Sequence, residues 1–329
     1  MEVIKMKKFK FLGILFISLI LVGCSSSEES AGKKISFSTW ASEGEAAYAG
    51  MEEFKKIVED ETDYTVDIFP ANQLGSTAEQ MEQLKMGSIE IMASGDPGMM
   101  EIEMLSLPYL MPDDESWAKV LDSEIGEEWE EKMKTEQDIV NIGILPRGPR
   151  VISSNIEITS VDDLKGLKIR APERDYYVET FKALGASPTP IDFGELYSAL
   201  DTGIVSAQEN PLETIVSGGF MEIQNNISLT NHMYKPAFIA INNTFLEGLS
   251  EEEREAFFKA AAEAEKVGKS ELEQEEQEMI EDLKNKGVVF SEPNIDEFKE
   301  STQVVRDELG IKTWGEDTYN EILEIVGGN

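Results

Sequence analysis

Apolar and polar residues alternate along Ile35-Ser36-Phe37-Ser38-Thr39, which predicts a first strand. Met51, Phe54, Ile57 and Val58 then fall on one helical stripe. Tyr64, Val66 and Ile68 alternate again, and Pro70 stops that strand. After the turn Asn72–Gly75, Ser76 with Glu79 three residues on makes a capping box for a helix ending near Gly87. Ile89–Ala93 is a third, more continuously apolar strand. Strand, helix, strand, helix, strand predicts a parallel sheet with right-handed crossovers.

Asp138–Leu145 reads as another strand, followed by Pro146-Arg147-Gly148-Pro149, whose prolines and glycine mark a boundary or hinge. The alternation then restarts. Strands are expected at 151–154, 167–170, 205–208, 227–230 and 237–242, with helices at 174–184, 193–201 and 211–218. Trp117 and Trp129 sit in helical stretches and are expected in the core. From Ser250 to near Lys286 a helical pattern runs for roughly 37 residues, or about 55 Å. That exceeds an ordinary domain diameter, so the helix is either broken or spans two lobes. A short strand at 288–290 and two amphipathic helices close the chain.

The first residues follow a different pattern. Lys5, Lys7, Lys8 and Lys10 precede a 13-residue apolar run, Phe11–Gly23. A span of the hydrocarbon core needs about 20 residues, so this run fits a secretory signal instead. It ends at Leu21-Val22-Gly23-Cys24, and Cys24 is the only cysteine. The pattern resembles a bacterial lipobox: residues 1–23 removed, Cys24 lipidated, residues 24–33 a flexible tether. A lipidated Cys24 leaves no thiol for disulfide, catalyst or metal site. Removing four lysines and one glutamate with the signal moves the formal charge from −36 to −39. Such a chain repels nucleic acid and anionic lipid.

Ligands of open α/β sheets lie beyond the carboxyl ends of strands. Those positions here hold Trp40, Ser94 to Asp96, Arg147 and Arg150, Arg170, Glu209-Asn210, and Asn231 to Tyr234. Arginine, amide, small hydroxyl and aromatic make a recognition vocabulary. In so acidic a protein, one or two cleft arginines must supply the attraction for an anion. A guanidinium pairs with carboxylate through two parallel hydrogen bonds. Arg170 has an equally simple alternative, a structural ion pair with Asp192, Glu195 or another acid. His232, the only histidine, is expected to hydrogen bond rather than bind metal. Asp96, Asp113 and Asp114 lack the spacing of a hand-type calcium loop. No phosphate loop, dinucleotide fingerprint or nucleophile elbow is present in the sequence.

FPANQLGSTAEQMEQLKMGSIEI, SLPYL, GPRVISSN, DDLKGLKIRAP, LGASPTPIDFGELYSAL, VSAQENPLETI and LTNHMYKPAFIAIN stand in one order over most of residues 35–290. Together they resemble the DctP-like solute receptors of TRAP transporters. The resemblance implies an α/β, two-lobed, periplasmic-binding-protein-like fold with hinge strands and a long inter-lobe helix. Lobe one would hold residues 34–146 plus about 236–275, and lobe two 147–235 plus about 276–329. It implies a receptor, not an enzyme, that needs no cofactor. The receptor closes on a small organic acid and hands it to a TRAP-type membrane permease, tethered by Cys24 on the extracytoplasmic face. Arg170 matches the family's main carboxylate-binding arginine, Arg150 a second one, and Asn210 the binding asparagine. Trp40, Ser94, Asp96, Phe193 and Tyr234 are expected around the remainder, with Arg147 an extra cation near the hinge. Val205-Ser206-Ala207-Gln208 departs from the family's usual Val-Asp-Gly-Gln. Two rivals stay open at this point. One is a receptor for an ABC importer. The other is an extracytoplasmic enzyme, which a single histidine and the absence of a mature thiol disfavour.

Overall fold

The computed structural model describes residues 33–327. The expected signal, most of the tether and the lipidation at Cys24 lie outside them. The first half of the chain supplies β1 (Lys33–Thr39), α1 (Ala46–Glu61), β2 (Tyr64–Phe69), α2 (Thr77–Lys85), β3 (Ile91–Ser94), α3 (Met100–Glu103), α4 (Asp114–Leu121), α5 (Glu124–Gln137), β4 (Ile139–Leu145) and β5 (Pro149–Ser154). Next come β6 (Lys168–Ala171), α6 (Asp175–Ala183), β7 (Ser187–Pro190), α7 (Leu196–Asp201), β8 (Ala207–Pro211), α8 (Leu212–Ser217) and β9 (Asn226–Tyr234). The chain ends with β10 (Ala237–Asn242), α9 (Asn243–Glu247), α10 (Glu251–Asn285), β11 (Val289–Ser291), α11 (Ile295–Trp314) and α12 (Glu316–Val326). The capping box at Ser76 forms as the sequence predicts, with Glu79 bonded back to the Ser76 amide.

The strands make two sheets, β2-β1-β3-β10-β4 and β11-β9-β5-β8-β6-β7. The expected parallel sheet holds for β1, β2 and β3, but β10 runs antiparallel between β3 and β4. In the second sheet β5 is the antiparallel member, against β8 and β9. One cause explains both departures. The chain passes straight from β4 into β5 and from β9 into β10, with no helix to turn it back. The two passages lie side by side: Leu145 pairs with Ala237 in one sheet, and Pro149 with Tyr234 in the other. Arg147 and Lys235 stand at this double crossing. The proline-rich edge strand β7 has no alternating apolar signal; as an edge it needs none.

Helix α10 is unbroken over 35 residues, about 52 Å. Its first half buries Phe257, Ala260, Ala261 and Ala264 against α1 and β4. Its last turns pack Met279, Ile280 and Leu283 with Leu200, Leu212 and Ile215 of the second sheet's helices. The helix therefore spans both sheets, because its apolar stripe changes partners midway. Close packing on α1 depends on Gly50, where an added Cβ would lie 2.6 Å from the Ala264 carbonyl oxygen and 2.7 Å from Leu145 Cδ2. Gly50→Ala is expected to destabilise the protein by about 1–3 kcal/mol through overpacking, read as a lower urea midpoint with unchanged slope.

Candidate functional site

Between the two sheets lies a cavity of about 180 Å³. One water needs only about 10–15 Å³ on such a scale, so this is room for an organic molecule. Trp40, Ser94 and Asp96, beyond β1 and β3, reach it from one side. Arg170 and Phe193, from β6 and the loop after β7, reach it from the other, with Arg150 and Asn210 from β5 and β8. Arg147 and Lys235 enter from the crossing. Eight of the nine expected ligand contacts thus converge on one cavity.

Tyr234 is the exception, and the expectation is corrected. Strand β9 does not stop at Thr230. A bulge opposite Val151, with Asn231 at φ 44°, interrupts the pairing, and the strand resumes through Met233 and Tyr234. Tyr109 fixes this bulge, its hydroxyl donating to Thr230 O and its amide to His232 O. The Tyr234 backbone accepts from Trp117 Nε1, and its hydroxyl lies beside Asp114, away from the cavity. The same bulge turns His232 inward. It is fully buried, with Nε2 donating to Glu209 at 3.3 Å and Nδ1 2.8 Å from Thr230 Oγ1. His232 is a hydrogen-bonding residue of the interior.

The cationic side chains divide into paired and unpaired sets. Arg150 spends Nε and Nη2 on the Glu209 carboxylate at 2.5 and 2.8 Å, and Nη2 also reaches Asn210 Oδ1 at 2.9 Å. Burial alone would raise the Glu209 carboxyl, but the Arg150 charge and the Arg150 and His232 hydrogen bonds hold it down to about 2. Burial alone would lower Arg150, and Glu209 reverses that too. Arg150 and Asn210 are the residues expected to add hydrogen bonds to a ligand. Both line the cavity, yet the bidentate edge of Arg150 is taken. The Asn210 amide is also held, donating to Gln208 Oε1 at 2.7 Å. Gln208 in turn donates to Ser153, which donates to Gln224. The buried polar chain that fixes the asparagine thus starts at Gln208, the residue the departure at Ser206-Ala207 leaves unchanged.

At the far end Arg174 pairs with Asp96 at 2.7 Å and Glu103 at 3.0 Å, and Lys235 lies 3.4 Å from Glu103. Asp96 is thus engaged by a cation from the opposite sheet. The charge of Glu103 and Asp96 outweighs the effect of burial and raises Arg174.

Arg147 and Arg170 remain. Among the described residues no carboxylate lies within 4 Å of either guanidinium. Arg170 is 3% exposed and donates Nε to Ile191 O at 2.9 Å, which fixes its plane. The alternative of an ion pair with Asp192 or Glu195 is not what the side chain forms. Arg147 stacks its guanidinium 4.2 Å from the centre of the Trp40 ring, and its Nε and Trp40 Nε1 are buried donors with no protein acceptor among the described residues. Gly95 admits it: a Cβ there would lie 3.0 Å from Arg147 Nη1. Burial pushes both arginines down to about 10, so both stay charged at neutral pH. Two desolvated cations facing a cavity, neither with an acid at ion-pair distance among the described residues, are a costly arrangement that an anion would relieve.

Sequence reasoning did not assign Glu209, Arg174, Lys235, Tyr176 or Tyr177 to the site. The acid in Gln-Glu-Asn-Pro carried the only available signal for Glu209, standing directly before the expected asparagine. Lys235 carried none, because its place follows from the strand crossing.

Comparisons with known proteins bear on this geometry. The model of the DctP family, bacterial extracellular solute-binding protein family 7, matches residues 37–313. The ectoine-binding periplasmic protein TeaA of Halomonas elongata is 32% identical over 262 residues, 78% of this chain and 76% of TeaA. A TRAP periplasmic solute-binding protein of Actinobacillus succinogenes, with bound L-galactonate, superposes with a TM-score of 0.83 at 27% identity, covering 90% of this chain and 99% of that one. Another, from Polaromonas and bound to D-erythronate, gives 0.81 at 26% identity, covering 88% and 98%.

Proposed function

As the chain belongs to the bacterial extracellular solute-binding protein family 7, we propose that it captures one small organic acid between its lobes and presents it to a TRAP-type membrane permease. The observation that carries this reading is the pair of cavity arginines without acid partners. The Arg170 guanidinium, fixed through Nε, has its terminal nitrogens left for a carboxylate. Arg147 and Trp40 supply two further donors and a flat wall. Arg150 acts mainly by its field, while Asn210, Ser94 and Phe193 shape the remainder of the cavity. The Ser94 hydroxyl and the buried Arg147 and Trp40 donors favour a ligand with hydroxyl groups, and a polyhydroxy monocarboxylate of the sugar-acid class fits best. Likeness to a galactonate-bound and an erythronate-bound protein supports that class.

The polypeptide performs no turnover in this reading. Lobe one comprises residues 34–146 and about 236–275; lobe two comprises 147–235 and about 276–329. Ligand contacts to both make the closed form favourable when occupied. The extracytoplasmic receptor is held to the membrane by lipid on Cys24. Among the described residues no helix is long and apolar enough to cross a membrane.

A thermal-shift panel on the chain tests the assignment, with L-galactonate, D-erythronate, D-glucuronate, succinate and ectoine against neutral galactose and glucose. An acid present at a hundred times its Kd stabilises by about 2.7 kcal/mol, so one or more of the sugar acids raises Tm by several degrees. Neutral sugars that match the acids, or a panel with no shift at all, would overturn it.

A further inference from the structure

A second set of contacts joins the lobes behind Arg147, outside the ligand cavity. Glu213, in the first turn of α8, accepts a hydrogen bond from the Ala46 amide, the first residue of α1. In the opposite direction Ser217 of α8 donates to Glu45 at 3.0 Å. Glu45 also accepts from the Ser42 amide at 2.8 Å, and so is anchored on its own side. Each acid thus meets a donor from the other lobe. Both are buried, at 4% and 7% exposure. Neither has a cation within ion-pair distance among the described residues.

We propose that Glu45 and Glu213 are a positioning pair for ligand capture: they clasp the lobes together and make closure take up a proton. This rests on the two-lobed closing receptor proposed above, but not on which acid it binds. The charges around the pair come from every element packed on it. Arg147 approaches from the crossing, Glu275 from α10, and Glu276 lines the same small cavity as Glu213. Four acids thus face one arginine, and that arginine also lines the ligand cavity.

Burial is the largest influence on Glu213 and, with Glu45 and Glu275 beside it, outweighs the Ala46 amide and Arg147, pushing the carboxyl up to about 7. Burial also raises Glu45. Parting the lobes returns both groups to water and to ordinary carboxylate behaviour. The closed form therefore holds more protons than the open one between the two values. Its advantage is full below the ordinary carboxylate range and is lost as pH rises through about 7.

Small-angle scattering on the ligand-free chain at pH 6 and pH 8 tests this. One proton released across that window corresponds to a closed-to-open ratio about tenfold higher at pH 6, read as a smaller radius of gyration. Glu213→Gln keeps an acceptor for the Ala46 amide and removes the charge, so it stays compact at both pH values. Glu213→Ala loses the clasp and is more open at both, with circular dichroism confirming that it is folded. A parent radius that ignores pH, or a pH response identical in Glu213→Gln, overturns the proposal. Because no ligand is added, either result stands apart from success or failure of the acid panel.

Discussion

Arg170→Ala is expected to abolish the thermal stabilisation that an organic acid confers on the parent, while leaving the unliganded protein folded. The side chain is buried, fixed by one backbone acceptor, and has no carboxylate partner among the described residues. Its removal breaks no ion pair and frees the Ile191 carbonyl to meet water entering the cavity. What is lost is the one cation aimed at the ligand from β6. Truncating one partner of a desolvated charge pair costs about 2–5 kcal/mol, a Kd rise of roughly thirtyfold to several thousandfold. Arg170→Lys is expected to recover part of the charge but not the paired hydrogen bonds, giving an intermediate Kd. Isothermal titration with the best acid of the panel measures all three. Parent-like affinity in Arg170→Ala would remove the central role given to that residue.

Glu209→Gln is expected to act on stability first and binding second. The carboxylate is fully buried and holds both Arg150 and His232. Neutralising it leaves the Arg150 charge in the interior without compensation, a loss of about 3–5 kcal/mol. Linkage gives an independent measure. The native Glu209 carboxyl sits near 2 against an ordinary 4.5. That gap contributes about 3 kcal/mol above the ordinary value, lost as pH falls toward 2. Urea unfolding of parent and variant should therefore differ strongly at pH 7, with the difference narrowing as pH falls through 4 toward 3. A gap independent of pH would show that the pair is not held by charge.

The two variants separate roles that a sequence pattern treats alike. Arg150 and Arg170 both stand at strand ends facing one cleft, and either could have been the ligand's partner. Glu209 decides between them. It is adjacent to Arg150 across the β5–β8 ladder, where Arg150 pairs with Pro211 and Ile152 with Glu209. Arg170, one strand further, meets a backbone carbonyl instead. The unpaired arginine is therefore the one proposed to meet the ligand's carboxylate. Arg147 joins it because the crossing places its guanidinium on Trp40 with Nε unpartnered.

By itself the sequence determined the local elements, because period, caps and breakers act within a few residues. The capping box at Ser76, the stripe of α1, the strand break before Pro149 and the length of α10 are all local facts. The residue types of the site were equally legible, since strand ends are where an α/β sheet leaves room. Tertiary structure alone decided strand direction in β5 and β10, which depends on two chain passages lying side by side. It alone decided the bulge at Asn231 that takes Tyr234 from the cavity and buries His232. It also decided which arginine is neutralised. Charge compensation depends on distances between residues about sixty positions apart, and no local pattern encodes them.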